Sequence, residues 1–251
     1  MRRLFLILLC VLLLSGNTSM LIQSTAKFEE EEATTDYTQD ANCVGAWLLN
    51  SNTTDESSQS NDGTNHGADI VEGSYYGDCY DFIDENLDYI EIDNSSAESH
   101  SLDLLGDFSL VAWVYPDELN WGEGTQYHAI IAKRDGADYQ FEFRFVEDDL
   151  NLLTSGGSLG TSTNTATGAW VHVAVTRDAD GNTIFYTNGS DTGDSAASKT
   201  IAHKAANVTI GATATYGHYF DGKIDEVAIF TRVLNSTEIN EMKDSGIKGD
   251  Q

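Results

Sequence analysis

The chain has 251 residues, and its 41 acidic and 13 basic residues give a formal net charge of −28. A surface this acidic repels nucleic acid and anionic lipid, so we expect neither as a partner. Hydrophobic residues make up 40% of the chain, which is enough for a real core. The length is compatible with one large all-β domain.

The chain begins with the pattern of a secretory signal peptide, residues 1–26. Arg2 and Arg3 precede the apolar run Leu4–Leu14, and a polar stretch ends that run. A basic start, a short apolar core and a polar end indicate a cleaved signal. The alternative is an uncleaved anchor over Leu4–Ile22, but a membrane span needs about 20 apolar residues and this stretch is interrupted by polar ones. In either case we expect a secreted or cell-surface protein with no membrane insertion beyond this segment.

An acidic stretch follows the signal. Residues 27–42 are rich in Glu, Asp and Thr and poor in large apolar side chains, which predicts a solvated linker. The folded domain is predicted over residues 43–246, and residues 247–251 form a short tail.

Eleven segments of the domain carry the strand signal of β-branched and aromatic residues bounded by Gly, Asn, Asp and Ser. In chain order they are Val44–Leu49, Cys79–Ile83, Asp88–Ile92, Phe108–Tyr115, His128–Lys133, Tyr139–Val146, Leu150–Ser155, Ala169–Arg177, Thr183–Thr187, Asn207–Ile210 and Gly222–Phe230. In the sixth segment three phenylalanines alternate with Glu142 and Arg144, which places one face on a core and the other in water.

One helix is predicted after the last strand. Asn235 is a candidate N-cap with Glu238 three residues later, the spacing of a capping box, and Gly246 offers a stop. Eleven strands and one short C-terminal helix predict an all-β fold, a two-sheet antiparallel jelly-roll sandwich.

The cysteines favour a crosslink. If Cys10 leaves with the signal, Cys43 and Cys79 remain as an even pair in an oxidising compartment, which predicts a disulfide bond. Two buried thiols are the alternative. The sequence has no Cys/His cluster with the spacing of a structural zinc site.

Seven successive segments of the chain resemble a laminin-G-like (LamG-like) jelly-roll domain of the concanavalin A-like lectin/glucanase superfamily. They are GAWLLN, DESSQSNDGT, YDFIDENLDYIEI, DFSLVAWVYP, AIIAKRDGADYQFEF, GAWVHVAVTRDADGNTIFYTNG and FDGKIDEVAIFTRVLNSTEI. The resemblance runs from about Val44 to Ser245 and implies a concanavalin A-like sandwich. It departs at Ser58 and Ser60, where the family often has Gly, and at Ile83, which lengthens a turn.

The loop after the first strand is rich in oxygen ligands, which calcium prefers. The resemblance implies a structural Ca²⁺ site there, and the residues nominated for it are Asp55, Asn61, Asp62 and Asp225. The alternative is that these side chains bond to the backbone of their own turns.

An acidic doublet, Asp225 and Glu226, interrupts the apolar pattern of the last strand. Neighbouring residues of a strand face opposite sides, so the two carboxylates are not expected to act as one acid/base pair. Burial of either one requires a partner. We therefore expect the doublet to tie the last strand to the first loop.

A hydrolase is the alternative that the superfamily raises. Its β-glucan hydrolases use a Glu-x-Asp-x-Glu strand, and this chain has Glu91 and Asp93 but Ser95 at the third position. Retaining hydrolysis needs two carboxyl groups about 5–5.5 Å apart, and the second is missing from this motif. The sequence therefore predicts that the protein is not an enzyme.

Aromatic residues in loops are the candidate ligand contacts, because large rings in loops contact ligands more often than rings in strands do. The residues nominated are Trp121, Tyr127, Tyr216 and His218. The strand tryptophans are expected in the core: Trp47, Trp113 and Trp170.

The sequence as a whole predicts a secreted, non-catalytic binding or adhesion module that recognises a glycan or an extracellular protein. The alternatives are a polysaccharide-degrading hydrolase or lyase of the same superfamily and a structural surface-coat protein.

Overall fold

A computed structural model of the chain describes five ranges, residues 34–94, 101–120, 124–196, 200–213 and 217–249. All of them belong to one compact unit, residues 33–251. The predicted signal peptide lies outside the described residues, as do Trp121 and Tyr216. Within the five ranges no helix has the length and apolar character needed to cross a membrane.

The described residues form fifteen β-strands and one α-helix. They are β1 Cys43–Trp47, β2 Gly63–His66, β3 Asp69–Glu72, β4 Asp78–Phe82, β5 Tyr89–Ile92, β6 Phe108–Pro116, β7 Tyr127–Asp135, β8 Asp138–Val146, β9 Asp149–Thr154, β10 Gly157–Gly160, β11 Val171–Arg177, β12 Thr183–Thr187, β13 Ser190–Ala196, β14 Val208–Ile210, β15 Gly222–Phe230 and α1 Ser236–Ser245. Short 3-10 helices lie at Tyr37–Gln39 and Asp84–Asn86. All eleven predicted strands and the predicted helix are confirmed.

The strands form two antiparallel sheets, which confirms the jelly-roll sandwich. Sheet A has the order β13-β12-β11-β6-β15-β4-β3, with β1 also paired to β15, and sheet B has the order β10-β9-β8-β7-β14-β5-β2. The four strands that the sequence did not predict, β2, β3, β10 and β13, lie at the ends of these two strand orders. Their sequences are short or polar and carry little of the alternation that burial on one face imposes.

The main core lies between the two sheets. The three phenylalanines of β8, Phe141, Phe143 and Phe145, are fully buried there, as is Trp47 of β1. The indole N–H of Trp47 donates to the backbone oxygen of Asn61 at 2.9 Å, so burial leaves this polar group satisfied.

A second apolar layer covers part of the outer face of sheet A. Ile239 and Met242 of α1 pack there against residues such as Val111 and Ala228. His172 of β11 is also buried on this side of the sheet, and burial lowers its pKa to about 3, so it is a neutral packed residue.

The predicted linker and tail are both partly integrated into this layer, which corrects the expected boundaries. Tyr37 is 4% exposed, and its hydroxyl donates to Glu241 at 2.5 Å. Its backbone N–H donates to the oxygen of Ile247 at 2.8 Å, and Ile247 is itself buried. The acidic composition of the segment gave no sign that Tyr37 would fill an apolar site. Residues 34–42 and 247–249 therefore belong to the domain.

A β-bulge at the acidic doublet breaks the alternation that the sequence analysis assumed. Asp225 pairs with Trp113 and Ala228 pairs with Val111, so β15 carries one extra residue opposite β6. Glu226 has φ 48°, in the left-handed region. Its side chain turns toward the C-terminal segment, where Oε2 accepts the backbone N–H of Ile247 at 2.6 Å.

Both carboxylates of the doublet therefore lie in the layer outside sheet A, and both are at most 1% exposed. Ser74 and the backbone N–H of Tyr76, from the loop between β3 and β4, face Asp225. The doublet does tie the last strand to other segments, but those segments are the β3–β4 loop and the C-terminus, not the first loop.

The two cysteines are free and buried in the structure, so the predicted disulfide is not formed. Cys43 pairs with Phe230, whereas Tyr80, the neighbour of Cys79, pairs with Ile224 on the same edge of β15. At about 3.3 Å per residue this separation far exceeds the 4.4–6.8 Å between the Cα atoms of a disulfide. The even number of cysteines gave no information about the distance between Cys43 and Cys79.

Candidate functional site

Two of the nominated ligand residues, from distant parts of the chain, meet on the outer face of sheet B. Tyr127 begins β7, and His218 lies in the loop that leads to β15. Their rings stack with centroids 4.7 Å apart and an interplanar angle of 25°. The backbone N–H of Ala129 donates to the oxygen of His218 at 3.1 Å, which fixes this loop beside β7. Tyr127 remains 36% exposed, whereas the His218 side chain is only 12% exposed, so the aromatic surface that faces solvent belongs mainly to Tyr127.

A buried carboxylate holds this pair in place. Glu142 lies between two core-facing phenylalanines of β8, so its side chain points to the outer face, yet it is fully buried. Its Oε1 bonds with Nδ1 of His218 at 2.6 Å, and its Oε2 accepts Arg134 at 2.7 Å. Arg144 donates to Oε1 at 3.3 Å, and its guanidinium also lies 4.5 Å from the centre of the Tyr127 ring.

Glu142 stays ionised in this setting. Burial acts to raise its pKa, but the hydrogen bond from His218, the charge of Arg144 and the hydrogen bond from Arg134 outweigh burial and hold the pKa below its usual value. Buried charges with several matched partners fix side-chain positions. The platform formed by Tyr127 and His218 is therefore pre-organised.

A groove of about 580 Å³ lies next to this platform. Thr125, two residues before Tyr127, lines it, and so does Val146, the strand partner of Tyr127. Asn151 links the groove to the buried network, because its Oδ1 accepts Arg144 Nε at 3.1 Å and Ser158 Oγ at 2.9 Å. The polar lining consists of Thr125, Glu147, Asp149, Asn151, Thr161 and Ser162.

The network around Glu142 was not predicted, although part of its signal was present. The alternation in β8 placed Glu142 and Arg144 opposite the core phenylalanines, on the face of the strand that was predicted to lie in water. Their burial depends on His218 and on Arg134 of β7, which reach the same carboxylate from other segments. No local pattern carries that information.

Three of the four nominated calcium ligands are close together, and the fourth has other partners. The carboxylate of Asp62 accepts the backbone N–H of Asp55 at 2.9 Å, and the backbone N–H of Asn61 donates to Asp55 at 2.8 Å. Asp225 instead bonds to the N–H of Glu226 at 2.9 Å.

The first loop satisfies its own polar groups in a way that does not fit a calcium cage. Oδ1 of Asp55 accepts the N–H groups of Ala46 and Ser57, each at 2.8 Å. Its Oδ2 accepts Ser57 Oγ and the Asn61 N–H, also at 2.8 Å. A cation would have to replace these donors. Within the described ranges no group of three or more His, Cys, Asp or Glu side chains is arranged to hold a metal ion.

Glu91, the glutamate of the partial Glu-x-Asp-x-Glu motif, is too far from Glu142 for the two to form a glycosidase pair. Glu91 pairs with Thr209, Thr209 with Ala132, and Ala132 with Glu142. Three strand spacings separate the two glutamates, about 14 Å at their Cα atoms. Glycosidases place their two carboxyl groups between about 5 and 9.5 Å apart. Glu142 is also ion-paired, so it cannot serve as a general acid.

A family model described as the concanavalin A-like lectin/glucanases superfamily matches residues 84–240, more than half of the chain. No protein of curated function matches the chain in sequence.

Solved structures share the fold at low sequence identity. Domain 4 of AbnA, a GH43 extracellular arabinanase from Geobacillus stearothermophilus solved in complex with arabinotriose, has a TM-score of 0.61 and 17% identity, over 80% of this chain and 98% of that domain. The binding domain of Paraclostridial Mosquitocidal Protein 1 has a TM-score of 0.63 and 17% identity, over 80% of this chain and 52% of that one.

A third similar structure is that of botulinum neurotoxin type C, whose cell entry depends on interaction with two ganglioside molecules. Its TM-score is 0.60 and its identity 16%, over 81% of this chain and 51% of that one. The present chain thus spans about half the length of the two toxin structures and nearly all of the arabinanase domain. At these identities the likeness establishes the fold.

Proposed function

Because the chain belongs to the concanavalin A-like lectin/glucanase superfamily, we propose that it is a secreted or cell-surface carbohydrate-binding module without catalytic activity. Its binding surface is the platform of Tyr127 and His218 together with the adjoining groove. The function class rests on this surface rather than on the fold, since the same sandwich hosts many activities.

One observation carries the proposal. Two aromatic side chains from segments about ninety residues apart in sequence stack at 4.7 Å beside a polar groove, and a buried ion network holds them there. An exposed, pre-organised ring loses little conformational entropy on binding. Sugar rings have an apolar C–H face that packs on such a ring, while their hydroxyl groups reach the polar lining of the groove.

The charges of the groove favour a neutral sugar. Glu147 and Asp149 line it, and the whole chain carries a net charge of −28, so anionic glycans are repelled. The carboxylates accept hydrogen bonds from sugar hydroxyls, and the amide of Asn151 and the hydroxyls of Thr161 and Ser162 both donate and accept them. Arabinotriose, the ligand in the AbnA domain structure, belongs to this neutral class.

Binding is favoured over hydrolysis by the state of the buried acids. Glu142 is the buried acid nearest the platform, and it is committed to two arginines and a histidine. Asp225 and Glu226 lie in the layer outside sheet A, away from this face. A hydrolase of this superfamily needs a protonated acid and a second carboxyl group at the sugar.

The proposal is tested on a glycan array with the wild-type protein, Tyr127→Ala and the control Leu87→Ala. Leu87 is 54% exposed in the loop between β4 and β5 and belongs neither to the platform nor to the lining of the groove. We expect wild type and the Leu87 variant to bind the same neutral glycans and Tyr127→Ala to lose them. Release of reducing ends from a bound glycan contradicts the proposal, and so does an array on which the wild type binds nothing.

A further inference from the structure

A second aromatic surface lies on the opposite side of the sandwich. α1 has ten residues and so spans about 15 Å, and the apolar layer it forms covers the part of sheet A around Val111 and Ala228. At the other end of the same face Tyr115 and Trp170 are half-buried and Tyr75 is 55% exposed. We call these three residues the aromatic patch. Trp170 was expected in the core, and its partial exposure corrects that expectation.

The rings of the patch are held rigidly. Tyr75, from the loop between β3 and β4, stacks on the buried Trp113 with centroids 4.1 Å apart and an interplanar angle of 15°. Trp113 and Tyr115 are two residues apart on β6, so they share the outer face of sheet A. Trp170 meets Tyr115 edge to face at 5.7 Å. The three rings thus form one fixed surface that continues along the end of the sheet.

Charged groups beside the rings define what the patch can accept. Lys223 lies opposite Tyr115 on β15, with its ammonium group 4.7 Å from the centre of the ring. The same ammonium group is 3.6 Å from Asp117 and 3.9 Å from Asp81. A cation therefore already occupies the place over Tyr115 and between the two acids. Asp69 adds a further negative charge near Asp81.

These features select one class of ligand. An anionic glycan is repelled by the three aspartates and by the net charge of the chain. A basic peptide would have to displace Lys223 from its position on Tyr115. A neutral sugar needs neither change, because it packs a C–H face on Trp170 or Tyr75 and donates hydroxyl protons to Asp117, which is 48% exposed at its side chain.

We propose that the aromatic patch is a second binding surface for neutral oligosaccharides, on the face of the sandwich opposite the platform of Tyr127 and His218. It extends the proposed function by making each domain bivalent. Two weak sites on opposite faces let one domain link two chains of a polysaccharide and raise its avidity for a multivalent surface.

The test follows intrinsic tryptophan fluorescence, because stacking of a sugar on Trp170 alters its emission. The probes are arabinotriose and cellotriose, both neutral, and decalysine as the basic alternative. The variants are Trp170→Ala, the conservative Trp170→Phe, and Tyr127→Ala, each checked by circular dichroism.

We expect a saturable change in tryptophan fluorescence with a neutral trisaccharide in wild type and Tyr127→Ala. Trp170→Phe should bind within about threefold of wild type in a calorimetric titration, and Trp170→Ala should lose the second site of that titration.

The outcomes separate this inference from the proposed function. Equal stoichiometry and affinity for wild type and Trp170→Ala, with binding abolished by Tyr127→Ala, overturns the second surface and leaves the first. Saturable binding of decalysine that depends on Trp170, without sugar binding there, also overturns it. Loss of one site in Trp170→Ala and of the other in Tyr127→Ala supports both.

Discussion

At the scale of single residues, the structure contains buried carboxylates with two different kinds of partner. Glu142 is buried with two arginines and a histidine, so its charge is matched. Asp225 and Glu226 are buried mainly with backbone N–H groups, and burial raises the pKa of Asp225 to about 7 and that of Glu226 to about 8. The first arrangement keeps a charge, and the second keeps each carboxyl group neutral until the pH reaches its raised pKa.

The Glu142 network predicts a large loss of stability on neutralising that residue. Glu142→Gln leaves Arg134 and Arg144 buried without their counter-charge, which costs roughly 3–5 kcal/mol when one partner of a buried pair is removed. The measurement is the free energy of unfolding in urea. The matched control is Glu147→Gln, an exposed acid on the same hairpin, which should change it by less than about 0.5 kcal/mol. Equal small effects of both changes would contradict this role.

Glu226 predicts a pH-dependent effect. Its pKa in the folded state lies above its usual value, so the stability linked to it is complete below about pH 4 and is lost as the pH rises through about 8. Glu226→Gln keeps an acceptor for the Ile247 N–H and cannot ionise. We expect this variant to gain little at pH 5 and about 3–5 kcal/mol relative to wild type at pH 8.

The check is urea unfolding of both proteins at pH 5 and pH 8, with the exposed Glu85→Gln as control. A difference between Glu226→Gln and wild type that is the same at both pH values would show that the carboxyl of Glu226 titrates normally.

At the scale of elements, the features that depend on neighbouring residues in the sequence were predicted correctly. The last helix was predicted from three residues, and the structure forms the full capping box. Oδ1 of Asn235 accepts the N–H groups of Thr237 and Glu238, and the Glu238 carboxylate accepts the Asn235 N–H at 2.8 Å. The central strands were predicted because their apolar residues alternate.

Non-local features escaped the sequence analysis at the same scale. The edge strands β2 and β10 have sequences as polar as loops, and only their neighbours' hydrogen bonds make them strands. The bulge at Glu226 reverses the face of a side chain and depends on the partner segment around Ile247. Register of this kind is set by tertiary contacts.

The helix cap gives a prediction for an element. Asn235→Ala should lower the free energy of unfolding by about 1 kcal/mol, since two N–H groups of the first turn lose their acceptor. Thr237→Ala, an exposed first-turn substitution, serves as control and should cost clearly less. Equal losses in urea unfolding would mean that packing of Ile239 and Met242, rather than the cap, fixes the helix.

At the scale of the whole molecule, the sandwich followed from the sequence and the site followed in part. Tyr127 and His218 were nominated as loop aromatics, but their stacking required the path of a loop that no pattern specifies. For the two cysteines, in contrast, the fold keeps apart residues that were expected to meet. Their even number suggested a disulfide bond, but the register of β1 and β4 on β15 separates the two thiols.

Because the whole chain is strongly acidic, the effect of calcium on its melting temperature tests whether the protein has a specific calcium site. Because the Asp55 carboxylate already accepts four hydrogen bonds, we expect no calcium-specific rise in the melting temperature. General screening of the net charge should act equally for calcium and magnesium at matched ionic strength. A midpoint that rises with the logarithm of calcium alone would reveal a native-state site and restore the predicted ligands.

The central claim is that the protein binds a neutral glycan through the platform of Tyr127 and His218. Its most direct test is titration calorimetry of the strongest array glycan against wild type, Tyr127→Ala and Leu87→Ala. We predict that Tyr127→Ala raises the Kd at the stronger site at least tenfold, about 1.4 kcal/mol, and that Leu87→Ala leaves it unchanged. Equal affinity of all three proteins would contradict the claim.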